Sequence, residues 1–193
     1  MRWTDDGFTL VELLFAVALA ATLASIAVPT TRDGVEAVQV SSAARYLAAR
    51  LSDARLKAVS RSTCLGLRFE PSAADYRFTT YVDGNENGIR AADITMGIDP
   101  PLAAAEQLAD KFPGVTFGLM NGYPDADGQG GTGEDGVRIG RARIETMSPD
   151  GTATPGTLYV HGRRTQFAVR VLGATGRVRV LEYLPGEGRW IQR

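Results

Sequence analysis

A single cysteine, Cys64, and a single histidine, His161, set the first limits on what this 193-residue chain can do. One cysteine forms no intrachain disulfide. One histidine, flanked by Gly162 and Arg163, forms no His-based metal cluster, and a Ser-His-Asp arrangement would rest on it alone. No glycine-rich phosphate loop followed by Lys-Ser or Lys-Thr is present. The residue types that carry hydrolytic, metal or phosphoryl chemistry are therefore scarce, and neither an enzyme nor a cofactor is expected. A large charge of one sign is missing too. The net charge is −1, so the field of the whole molecule selects no partner. No internal repeat and no second soluble domain are visible.

What is present is an ordinary globular composition, 44% hydrophobic and 22% charged, preceded by one long apolar run. Between Phe8 and Val28 the only ionisable side chain is Glu12. At ~1.5 Å per residue a helix of that length just spans a bilayer core of ~30 Å, so residues 8–28 are expected to be a transmembrane helix. A cleaved secretory signal would need a basic start, a shorter apolar region and a small-residue cleavage site. Here Pro29 follows the run and the polar residues stand before it. A carboxylate within such a segment costs on the order of 2.5 to 3.5 kcal/mol at mid-bilayer and less near the interface, which marks Glu12 as a functional residue in want of a cation. The plainer reading puts Glu12 at the headgroup level, where its charge suits the helix N-terminus.

Residues 29–34 are expected to break or bend the helical pattern. Val40, Ala44, Leu47, Leu51, Ala54 and Ala58 then recur at spacings of four and three, one apolar face of a helix over about 35–62, with Arg45, Arg50, Arg55 and Lys57 off it. After Thr63 the period changes to alternation. Strands are expected at 64–69, 76–82, 115–119, 137–146, 157–160, 167–172 and 177–183, with a turn at 71–75, a surface loop at 121–136 and a hairpin turn at 173–176. Cys64, beside Leu65 and Leu67, is expected in the core. The fold class is α+β: a long N-terminal helix, its first half in the membrane, packed on a C-terminal antiparallel β-sheet domain. The expected divisions are a leader at 1–7, the transmembrane helix at 8–28, the remainder of the stem at 29–62 and the β-rich domain at 63–193.

Charge is unevenly spread. Residues 83–136 carry ten acidic side chains against Arg90 and Lys111, whereas 161–193 carry seven arginines against Glu182 and Glu187. Asp83, Asn85 and Asn87 alternate before Gly88, with Asp93 further on, like the first half of a calcium loop. Ile94 stands where the bidentate Glu is needed and Asp93 is one place early. A hairpin turn between Val82 and Ile89 accounts for the same residues without an ion, and no metal site is assigned. In a strand over 177–183, Arg177 and Arg179 share one face while Val178 and Val180 point to the core.

The string Gly7-Phe8-Thr9-Leu10-Val11-Glu12-Leu13 resembles the class III signal of type IV pilins and type II secretion pseudopilins. The resemblance implies cleavage between Gly7 and Phe8 by a prepilin peptidase, methylation of Phe8, and pairing of Glu12 with the N-terminal amine of a neighbouring subunit during filament assembly. Pro29 falls where many pilins carry a helix-bending proline. The leader departs from the pattern in holding one basic residue, Arg2, and two acidic ones, Asp5 and Asp6, which weakens the charge bias that orients such segments. The body resembles the H-type pseudopilin and FimT-like minor pilin family in Asp83–Gly88, in Ser148–Ala153 leading to Gly156–Val160, and in Gly176-Arg177-Val178-Arg179. This likeness implies a minor pseudopilin of a type II secretion system, anchored by one span in the inner membrane with its globular domain in the periplasm. Its implied partners are other pseudopilins or pilins, the peptidase and the membrane. The alternative it implies is a minor type IV pilin that binds DNA, with Arg177 and Arg179 as the contacts.

Overall fold

The computed structural model describes residues 9–73, 75–126 and 135–193, with the backbone but not the side chains of 24–33. Gly7 and Phe8 lie outside the described residues. The chain divides into two compact units, Met1–Val35 and Glu36–Arg193.

Helix α1, Leu10–Arg61, begins in the first unit and continues without interruption past Pro29 and Gly34, where a break or bend was expected. Its start is fixed locally. Thr9 stands at the N-cap and Glu12 three residues on, and the two exchange bonds: the backbone N–H and hydroxyl of Thr9 donate to Glu12 Oε2 at 2.9 and 2.8 Å, and the Glu12 N–H donates to Thr9 Oγ1 at 3.3 Å. This is a capping box, which satisfies two of the N–H groups a helix start leaves open. The helix ends where Ser62 turns left-handed (φ 51°) and Thr63 N–H donates back to the Ala58 carbonyl.

In the first unit Leu10, Val11, Leu13, Leu14, Phe15, Val17, Leu19 and Leu23 are all exposed. Among the described residues no helix is long and apolar enough to cross a membrane. The described apolar run, Leu10–Leu23, falls short of the ~20 residues a bilayer core requires. The remainder of the expected span, Phe8 and residues 24–28, has no described side chains.

The second unit has one principal core. Val40, Ala44, Leu47, Leu51, Ala54 and Ala58 of α1 are buried, as the spacing predicts. They pack with residues of two antiparallel sheets in a single cluster that includes Leu65, Leu67, Phe69, Phe78, Leu158 and Val169. The first sheet has the order β3-β2-β1-β6, from β1 (Leu65–Ser72), β2 (Asp75–Val82), β3 (Glu106–Gln107) and β6 (Ile144–Met147). The second has the order β10-β9-β8-β7-β4, from β4 (Thr116–Phe117), β7 (Gly156–His161), β8 (Gln166–Leu172), β9 (Arg177–Leu184) and β10 (Arg189–Gln192), with β5 (Val137–Arg138) also on β7. The α+β class and the helix-then-sheets order are those expected.

Several elements differ from the sequence reading. The single strand expected over 137–146 is two: β5 pairs with β7 in the second sheet and β6 with β1 in the first. Gly140 (φ 44°) and Arg143 (φ 50°) turn the chain between them, so this segment passes from one sheet to the other. No strand starts at Ile89. The chain leaves β2 through a turn into α2 (Ala91–Met96), and a further short helix, α3 (Leu108–Lys111), follows β3. Cys64 is half-buried rather than in the core.

Three polar contacts hold α1 to the sheets. The Glu36 carboxylate accepts from the Arg164 backbone N–H at 2.6 Å, in the turn between β7 and β8. Tyr46 and Arg50 both donate to Glu106 at the edge of the first sheet, Arg50 at 2.7 Å, and Lys111 donates to the same carboxylate at 2.6 Å. Arg55 Nε donates to the Gly151 carbonyl at 3.2 Å.

Candidate functional site

Glu12 sits in the first turn of α1 with its carboxylate turned back onto Thr9. Local sequence suffices for this, because Thr-x-x-Glu at a helix start lets each side chain serve the other's backbone. The negative charge is thereby held at the positive end of the helix dipole. Around it every described apolar side chain of the first unit faces outward, so a second surface has to cover them.

The residues of the calcium-like stretch are occupied by the backbone. The N–H groups of Asn85 and Gly88 donate to the two oxygens of Asp83 at 3.2 and 2.7 Å, and Asn87 N–H donates to Asn85 Oδ1 at 3.4 Å. Asp99, fully buried, accepts from the N–H groups of Gly84 and Arg90. Gly84 is required at its place, since a Cβ there would stand 2.0 Å from the Ile98 carbonyl oxygen. Asp93 lies in α2, and its Oδ2 has no hydrogen-bond partner. Among the described residues no group of three or more His, Cys, Asp or Glu side chains is placed to hold a metal ion. The turn is built by carboxylates gripping N–H groups, with α2 rather than a second strand behind it.

Arg177 and Arg179 are exposed on β9, while Val178 and Val180 pack against the core, as alternation requires. Register adds a neighbour that sequence did not indicate: Arg179 lies directly across from Arg170 of β8. Arg170 in turn faces Thr157 on β7, and Thr157 faces Arg138 on β5. Three arginines therefore occupy one row on the side of the second sheet that faces away from α1. A cleft of about 270 Å³ opens along this row, walled by Arg138, Thr157, Tyr159, Arg170 and Asp125. Arg138 is ion-paired to Asp125, and its guanidinium lies over the Tyr159 ring at 5.0 Å. Burial first, and then the bond it donates to Asp125, push the Tyr159 hydroxyl well above its ordinary pKa.

Arg55 brings together two of the turns that carried the sequence resemblance. Its guanidinium lies against both Gly151, in the Ser148–Ala153 turn, and Gly176, at the head of Gly176-Arg177-Val178-Arg179. A groove of about 270 Å³ runs beside this junction between α1 and β9, lined by Ser52, Arg55, Leu56, Arg177 and Val178. The acidic middle of the chain is largely neutralised by basic residues from other segments. Glu106 meets Arg50 and Lys111, Asp125 meets Arg138, and Asp135 meets Arg143. Burial pushes the Glu106 carboxyl upward, but the bonds from Lys111 and Tyr46 outweigh it and leave it below its ordinary value.

One titratable group had no signal in the sequence beyond standing in an apolar stretch. Glu145, on β6 opposite Leu67, is fully buried, and neither carboxyl oxygen has a hydrogen-bond partner. Burial alone pushes its pKa up to about 9. His161 ends β7 with Nδ1 at 2.6 Å from the Gly162 carbonyl and Nε2 at 3.4 Å from Thr116 Oγ1, the strand-end position expected of it.

No curated protein sequence matches the chain. Among solved structures the fold is similar to the minor pseudopilin EpsH from the Type 2 Secretion System of Vibrio cholerae, at 16% identity and a TM-score of 0.47, over 75% of this chain and 97% of that one. Residues 5–28 match the prokaryotic N-terminal methylation motif, so the stretch holding Gly7, Phe8 and Glu12 is a type IV pilin-like methylation motif at the head of an α+β chain.

Proposed function

We propose that this chain is a minor pseudopilin, a structural subunit of a type II secretion filament. The observation that carries the reading is the methylation motif over residues 5–28 joined to a helix whose described apolar side chains are exposed all round. Such a helix is stable only when lipid or other helices cover it, and a subunit moved from membrane to filament meets both. A peptidase cuts after Gly7, where the missing side chain leaves the scissile bond open, and Phe8 becomes the methylated N-terminus. Residues 8–28 form the single inner-membrane span, with the domain from Glu36 onward in the periplasm. Glu12 holds its negative charge for the N-terminal amine of the adjoining subunit, where an ion pair also fixes axial register.

Mass spectrometry of the mature protein tests this. The expected product begins at methylated Phe8, and Gly7→Val leaves the chain uncut. Mature protein that begins at Met1, or anywhere other than Phe8, ends the reading.

The second reading, a minor type IV pilin capturing DNA, rests on one observation: neither Arg177 nor Arg179 has an acidic partner among the described residues. Whether DNA is what they meet is an outcome of the binding experiment below.

A further inference from the structure

We propose that the outer face of the second sheet, from the cleft walled by Arg138 and Arg170 to Arg179, is a docking surface for an acidic peptide segment of a partner protein. Arginines 170 and 179 are a directly opposed cross-strand pair, with Cβ atoms ~5 Å apart, and like charges so placed destabilise a sheet unless an anion lies between them. The two glutamates near in sequence are already engaged elsewhere: Glu182 binds Arg193 and Glu187 binds Arg189. Arg179 is thus left exposed beside a second guanidinium, with no carboxylate of its own among the described residues. Arg138 shows what the row accepts, because the group it holds is a carboxylate, that of Asp125. A carboxylate entering from outside meets planar donors able to bind it through two bonds, and Thr157 supplies a hydroxyl in the same row.

The dimensions favour a peptide over a nucleic acid. From Arg179 to Arg138 the row crosses three strand spacings of ~4.8 Å, about the reach of four or five extended residues. Duplex DNA carries one charge per ~1.7 Å and runs far beyond so small a patch, across the rest of a chain whose net charge is −1. A short acidic segment fits the local charge without meeting the remainder. This surface is independent of the filament reading, since it lies wholly in the second unit and uses none of residues 5–28.

The experiment uses full-length protein in detergent micelles, a fluorescein-labelled octaglutamate peptide, a labelled octalysine peptide and a short labelled DNA duplex, all at low ionic strength. Octaglutamate is expected to bind and octalysine not. Arg179→Glu is expected to weaken octaglutamate binding at least about tenfold. Arg189→Glu makes the same charge change at an exposed arginine already paired on β10, and is expected to leave binding within about twofold. Arg179→Gln, with the melting temperature of each variant, separates lost binding from lost folding, and both Arg179 variants should still be cut after Gly7. Absence of octaglutamate binding, equal losses in the Arg179 and Arg189 variants, or tighter binding of the duplex with the same dependence on Arg179 would each overturn the proposal, the last in favour of nucleic acid.

Discussion

Arg55 and Gly176 are fitted to each other: a Cβ on Gly176 would stand 2.7 Å from Arg55 Nε and 2.5 Å from the Gly151 carbonyl oxygen that the same Nε binds. Gly176 also has φ +58°, a conformation that a side chain disfavours. Gly176→Ala should therefore destabilise the domain by about 2 kcal/mol, combining backbone strain with the clash. Arg55→Ala removes one of the two obstructing atoms but not the carbonyl, so it should rescue only part of that loss. Urea unfolding of the single and double variants measures the coupling. Additive effects would mean that the two residues do not share the junction.

Glu145 makes stability depend on pH in the direction opposite to most carboxylates. Its folded pKa is raised to about 9 from the model value of 4.5, so between these limits the folded state holds a proton that the unfolded state has released. Stability from this group is fully present below the unfolded pKa and declines as pH rises, by about 1.4 kcal/mol per pH unit, until the folded group ionises. Glu145→Gln keeps the shape and removes the titration. The variant should gain on the wild type steadily from pH 5 to pH 8 when melting temperatures are compared. A difference that stays constant over that range would show that the carboxyl finds a partner in solution.

The periodicity of α1 over Val40–Ala58 was legible because burial on one helix face imposes a spacing that six positions repeat. The same logic located β1, β2, β7, β8 and β9. It failed at 137–146 because apolar residues continue through the segment, and only Gly140 hints that the chain changes sheets there. Helix α2 and α3 are too short to show a period. The hold of Arg55 on Gly151 joins residues 96 apart, and pairing of β8 with β9 in the register that sets Arg170 beside Arg179 depends on the turn between them. Neither is a property of a local stretch. Arg177 and Arg179 were found by alternation, whereas their surroundings needed the sheet. Glu145 shows the limit from the other side, for a lone acid in an apolar strand does not reveal whether a partner awaits it.

The capping box separates two roles that Glu12 combines. Gln at this position can still reach back to the Thr9 N–H, so Glu12→Gln keeps the helix start and removes the charge. Thr9→Ala does the reverse, losing one cap at a cost of ~1 kcal/mol while leaving the carboxylate. If Glu12 serves assembly by pairing with the amine of Phe8 on a neighbour, Glu12→Gln should insert, be cut after Gly7 and yet be missing from filaments. Glu12→Leu should behave likewise and be retained more firmly in the membrane, because a costly charge has been replaced by an apolar group. Thr9→Ala should assemble almost normally, since a frayed first turn still presents the charge. Immunoblots of sheared filaments against membrane fractions read the partition directly. Normal incorporation of Glu12→Gln together with failure of Thr9→Ala would assign Glu12 to the helix cap alone and remove the ion pair from the mechanism.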